Sequence, residues 1–87
     1  MKYVETIDKI TTIFDERDEE YGDFTRNLIK AAQIASAVIG HDISAWDIAM
    51  IMHCIKLSRL ERDNSKADTY IDGINYLAFA SDIAESE

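Results

Sequence analysis

From Ala45 to Leu57 the sequence reads AWDIAMIMHCIKL, and its apolar residues face nearly every direction of a helix. A helix that is apolar all round has to be covered by other helices, so the rest of the chain is arranged around it. Lys56 and Arg59 interrupt the run, and the polar segment ERDNSK follows. Beyond it, Asp68, Asp72 and Tyr76 recur at four-residue steps, which places them on one side of a second helix. The spacing predicts an antiparallel hairpin that turns near Asp63 and Asn64. Lys56 then lies opposite Asp72 and Arg59 opposite Asp68, so two cations meet two carboxylates at the edge of the core.

The segment before the hairpin also reads as helical. Tyr3, Ile7, Ile10, Phe14, Arg17 and Tyr21 alternate at spacings of four and three, the signature of one helical face. Gly22 is placed to end that helix as a left-handed cap, and Asp23 to cap the next one. Phe24, Leu28, Ala31, Ala35 and Val38 mark the buried face of the second helix, which Gly40 and His41 close, with His41 in a solvated turn. Ser44, with Asp47 three residues later, predicts a capping box at the third helix. Its expected core residues are Trp46, Ile48, Ile51, Met52, Ile55 and Leu60, with Met50 and Met52 as gap-fillers. The fourth helix is predicted from about Lys66 to Ile83, capped by Ser65 with Asp68 as its N3 acid. Ala67, Ile71, Ile74 and Ala78 form its stripe, and Gly73 marks a close approach. With no proline, strand pattern or repeat, residues 1–87 read as one compact all-α domain of four helices, closed by a C-terminal antiparallel helix hairpin.

The formal charge of −8, from 17 acidic and 9 basic residues, disfavours a polyanion bound over a broad surface, so no direct nucleic-acid binding is expected. No apolar run approaches the length of a membrane span, and MKYVETIDKI is amphipathic rather than a signal segment. The single Cys54 excludes a disulfide within the chain. As a thiol buried in an apolar run it suits a reducing compartment, which makes a cytoplasmic location the expectation. His53 reads as a hydrogen-bonded structural histidine. The apolar surface of the first and third helices exceeds what one small chain covers, so a symmetric homo-oligomer, a dimer above all, is expected.

Two readings of the hairpin charges stand side by side. Asp68 and Asp72 can form an ion-pair network with Lys56 and Arg59. Alternatively, the four residues make a phosphate and metal site, in which the carboxylates suit Mg²⁺ and the cations meet phosphate oxygens. Arg17 and Tyr21 would complete such a pocket from the first helix, with Tyr21 or Tyr76 stacking on a base. Glu16 and Glu19 form an ExxE pair that can reach one metal, or else belong to a solvated acidic face.

The ordered set Arg17-x-x-x-Tyr21-Gly22, Asn27, Asp47-Ile48-Ala49, Lys56-x-x-Arg59 and Asp68-x-x-x-Asp72-x-x-x-Tyr76 covers roughly residues 14 to 80. It resembles a family of small helical proteins of bacteriophages and prophages, similar to proteins associated with phage nucleotide metabolism or modification. More distantly, it is similar to the all-α MazG-like nucleoside triphosphate pyrophosphohydrolases. Those hold Mg²⁺ against nucleotide phosphates with ExxE on one helix and ExxD on the next. Glu16-x-x-Glu19 matches the first half, and Asp68-x-x-x-Asp72 departs from the second in spacing and in one residue type. The resemblance implies a phage-type protein of the host-cell cytoplasm that binds a nucleotide or phosphorylated small molecule, with Mg²⁺-dependent hydrolysis as an extension. The alternative is a non-enzymatic anti-defence protein, either a nucleotide sponge or an acidic inhibitor of a host defence protein.

Overall fold

The computed structural model describes the backbone of residues 3–21 and 24–86 and the side chains of residues 3–12 and 24–85. Four helices follow one another: α1 (Tyr3–Tyr21), α2 (Phe24–Ile39), α3 (Ala45–Arg62) and α4 (Ala67–Ser86). The most extensive packing is between α3 and α4; α2 lies against α3, and α1 lies against α4 with a smaller contact to α2. The expected all-α architecture with a C-terminal helix hairpin is therefore present. No helix of the described residues is long and apolar enough to cross a membrane.

Local sequence sets the helix ends. Gly40 follows α2 at φ +84°, a left-handed conformation that costs glycine nothing, and its N–H donates to Ser36 O at 2.9 Å. Ser36 Oγ accepts from Ile43 N–H at 2.8 Å and donates to Ala32 O at 2.7 Å, which pins the connection to α3. At the start of α3 the capping box is complete. Ser44 Oγ accepts from Asp47 N–H at 3.0 Å, and Asp47 Oδ2 accepts from Ser44 N–H at 2.9 Å. Ser44→Ala should therefore lower unfolding stability by about 1 kcal/mol in urea titrations.

The start of α4 differs from expectation. Ser65 does not cap that helix. Its N–H and Oγ both donate to Asp63 Oδ1, at 2.9 and 2.6 Å. A carboxylate two residues back outcompetes the helix terminus for the serine. The Ser65 hydroxyl first, then its N–H, holds the Asp63 carboxyl below the usual aspartate range. That contribution to the turn is present at neutral pH and fades on acidification through the lowered folded value. Tyr70 Oη donates to Asn64 O at 3.0 Å and ties α4 back to the same turn. At its far end α4 continues to Ser86, three residues beyond Ile83. Ile83 is buried and anchors that last turn.

The core is centred on α4 rather than on α3. Ile71, Asn75, Phe79, Ala80 and Ile83 of α4 are buried, and Ile71 is fully enclosed. Phe79, Ala80 and Ile83 form one cluster with Leu28 of α2 and Ala49 of α3, and Ala32 of α2 is buried as well. Phe24 stacks on Phe79 with ring centroids 4.4 Å apart and meets Tyr76 at 6.0 Å. Several expected core residues lie outside. Val38, Trp46, Ile51, Ile55 and Ile74 are exposed, as is Ala78. The reason is geometric. With α4 on one side of α3 and α2 on another, the outward residues of α3 stay uncovered among the described residues. Cys54 lies on that open side and is exposed, so the compartment argument from a buried thiol does not hold. Ile48, Met50, Met52 and Leu60 are half-buried, and Met50 packs on the core.

Candidate functional site

Two cross-helix contacts fix the register of the hairpin. His53 Nδ1 lies 2.6 Å from Gly73 O, and Lys56 Nζ lies 3.6 Å from Asp72 Oδ2. As the position on α3 rises, its partner on α4 falls, so the helices are antiparallel. A carbonyl can only accept, which makes Nδ1 of His53 the protonated nitrogen. His53 is thus a bonded structural histidine, as the sequence suggested. Gly73 brings the helices together. A methyl built at its Cα would meet Lys56 Cβ at 3.4 Å and His53 Nδ1 at 3.9 Å. Both are ordinary van der Waals separations, so an alanine fits without displacing either residue. Gly73→Ala should therefore raise thermal stability by up to about 1 kcal/mol, the helix-propensity difference. A loss of stability would mean that the seam is tighter than these distances.

The Lys56–Asp72 pair predicted from spacing is present. Its side chains are 14% and 19% exposed, and 3.6 Å is a loose separation for a charged hydrogen bond. The pair therefore orients the two groups more than it stabilises the fold. Arg59 and Asp68 line the same hollow one turn further on, with no ion pair between them among the described residues.

This hollow, of about 620 Å³, lies at the turn end of the hairpin and is lined by Lys56, Arg59, Arg62, Asp63, Lys66, Asp68, Thr69 and Asp72. Four of the chain's nine cations gather there against three carboxylates, a locally positive patch on a protein of charge −8. The last turn of α3 supplies Arg59 and Arg62, where cations also complement the helix dipole. Sequence reasoning missed Arg62 and Lys66. Arg62 falls three residues after Arg59 on the same helical face, and that spacing was the available signal.

The other expected site residues divide into two groups. Tyr76 does not line the hollow; it packs against Phe24 and the core cluster. The side chains of Glu16, Arg17, Glu19 and Tyr21 lie outside the described residues. Among the described residues no cluster of three His, Cys, Asp or Glu side chains is placed to hold a metal. Asp68 and Asp72 are hard oxygen donors of the kind Mg²⁺ takes together with ligand phosphates. Chemically, the hollow can hold an anion of small-molecule size, with guanidinium forks and ammonium groups on several sides.

No curated protein and no solved structure matches the chain at a significant level. A family described as a domain of unknown function, DUF6378, matches residues 5–84, a span that reaches into all four helices and includes the hollow. By that match, the chain belongs to the DUF6378 family.

Proposed function

We propose that the protein binds a nucleotide or another phosphorylated small molecule in the hollow at the turn of the α3–α4 hairpin. The observation that carries the reading is the gathering of Lys56, Arg59, Arg62 and Lys66 around one concave site in an otherwise acidic chain. Phosphate oxygens are the commonest partners for such a set, with arginine offering two parallel donors and lysine a point charge. Asp72 orients the Lys56 ammonium, and Asp68 lines the same hollow. With a phosphate ligand in place they also offer the carboxylate half of a Mg²⁺ site. Mg²⁺-dependent hydrolysis is the extension of this proposal, and binding is its centre. The proposed assembly is a homo-oligomer, and the proposed setting is the cytoplasm of a phage-infected host.

The net charge of −8 supports a second reading, in which the protein is an acidic inhibitor docked on a basic host defence protein. A single panel separates the two. Nucleoside mono-, di- and triphosphates and cyclic nucleotides, each with and without Mg²⁺, are titrated by calorimetry and thermal shift. Saturable binding with a raised melting temperature is expected for at least one class. If no member binds at millimolar concentration, the nucleotide reading falls and a pull-down for a basic protein follows.

A further inference from the structure

We propose that the outward stripe of α3 is the surface on which a second copy of this chain packs about a two-fold axis. The inference names the contact surface of the homo-oligomer proposed above and rests on that reading. His53 and Lys56 point α3 toward α4. At 100° per residue, Asp47, Ile51, Cys54, Ile55 and Ser58 fall on the opposite side of the helix, with Met50 at the edge toward the core. With Ile43 they line an open depression of about 550 Å³. Ile51 is 51% exposed and Ile55 39% exposed.

Three observations favour a second copy as the occupant. The first is area. A folded monomer of this mass exposes roughly 5,200 Å² by the usual scaling, whereas this chain of 9.9 kDa exposes 6330 Å². This excess of roughly 1,100 Å², taken over the whole chain, is large enough to include the ~800 Å² that each partner contributes to a standard interface. The radius of gyration agrees: 13.8 Å, against about 12 Å for a compact domain of this length. The second is charge. Asp47 is the stripe's one acidic residue, and its side chain accepts from Ser44 N–H. Two copies of a protein of charge −8 can therefore meet on this face without opposing bare like charges. The third is spacing. Ile51, Cys54 and Ile55 stand at i, i+3 and i+4 on one apolar face, with the polar Asp47 and Ser58 one turn beyond at its two ends. An antiparallel crossing of α3 on its copy places Ile51 and Cys54 near the axis, where each meets the same region of the partner.

The full chain should elute in light scattering at twice its 9.9 kDa mass at micromolar concentration. Ile51→Lys brings like charges together near the axis and should weaken dimerisation by on the order of 100-fold. Ile55→Lys should act in the same direction, with the helical circular dichroism retained in both. Leu77→Lys, at an exposed apolar position of α4, should leave the dimer intact. Should the α3 variants fail to fold, a short bismaleimide on the unaltered protein gives an independent reading, and a Cys54–Cys54 cross-link is expected. A monomeric wild-type chain would overturn both the surface and the homo-oligomer. A monomer that instead binds vesicles of phosphatidylcholine and phosphatidylglycerol would assign the stripe to a lipid surface. A dimer that survives Ile51→Lys and Ile55→Lys, is lost in Leu77→Lys, or gives no Cys54 cross-link would overturn the surface alone.

Discussion

Ile71→Ala is expected to cost about 2–5 kcal/mol of unfolding stability, the range for a large-to-small change in a core that cannot collapse around the gap. Among the described residues Ile71 is the largest side chain that is completely enclosed. A domain of this size has roughly 4–13 kcal/mol of total stability, so the variant should sit near the edge of folding at 37 °C. Little else in the core compensates. Among the described residues, the other buried apolar side chains are Leu28, Phe79, Ile83 and three alanines. Urea denaturation followed by circular dichroism, at one protein concentration so that assembly is held constant, gives the number. A loss below 1 kcal/mol would mean that α4 is not the central helix. Ile74→Ala supplies the contrast. Ile74 lies three residues along the same helix but is 45% exposed, and its truncation should cost less than half as much.

That contrast also shows why the fold was more legible than its core. Helix boundaries followed from local chemistry, as in the Ser44–Asp47 capping box and the glycine at φ +84°. The hairpin register followed from charge spacing, because Lys56 and Asp72 each had one sensible partner across a short turn. The buried face of α4 was misread by about one residue. Ile71 and Ile74 suggested a stripe through Ala78, whereas the helix buries Ile71, Asn75 and Phe79. Asn75 is what misled the reading. An amide counts as polar in any hydrophobic pattern, yet Asn75 is 3% exposed and its Oδ1 has no hydrogen-bond partner among the described residues. A buried unsatisfied carbonyl costs free energy, so hydrophobic periodicity gives no reason to expect one. The apolar run of α3 misled in a different way. Its outer residues face away from α4, on the surface proposed above for a second copy. A pattern read from one chain cannot separate burial within a fold from burial between folds. In the hollow, Lys56, Arg59, Asp68 and Asp72 were legible because a helix repeats its neighbours every three or four residues. Lys66 was not, because it comes from the turn, where no periodicity applies.

Removing the cations of the hollow should change ligand binding more than it changes the fold. A hydrogen bond to a charged group contributes about 1.5–3 kcal/mol, so Lys56→Ala and Arg59→Ala should each weaken nucleotide binding by roughly 10- to 150-fold. Lys56 should have the larger effect. Its side chain is mostly buried beside Asp72, and its removal takes away a cation that offsets that carboxylate near the incoming phosphate. Arg59 is exposed, and its loss should fall near the lower end. Asp72→Asn distinguishes the roles of the acids. With the negative charge gone and the shape kept, metal-free binding of an anion should tighten, because the repulsion is removed while Lys56 remains. If Asp72 also holds Mg²⁺, the same change should abolish any turnover that depends on that ion. Calorimetry reads the first effect and product chromatography the second. Tighter binding with the ligand recovered intact from both proteins identifies a sponge. Turnover present in the wild type and lost in Asp72→Asn identifies a hydrolase. If neither Lys56→Ala nor Arg59→Ala alters the affinity of a nucleotide that does bind, the ligand sits elsewhere, and the hollow is a structural ion-pair network of the kind that imitates a site.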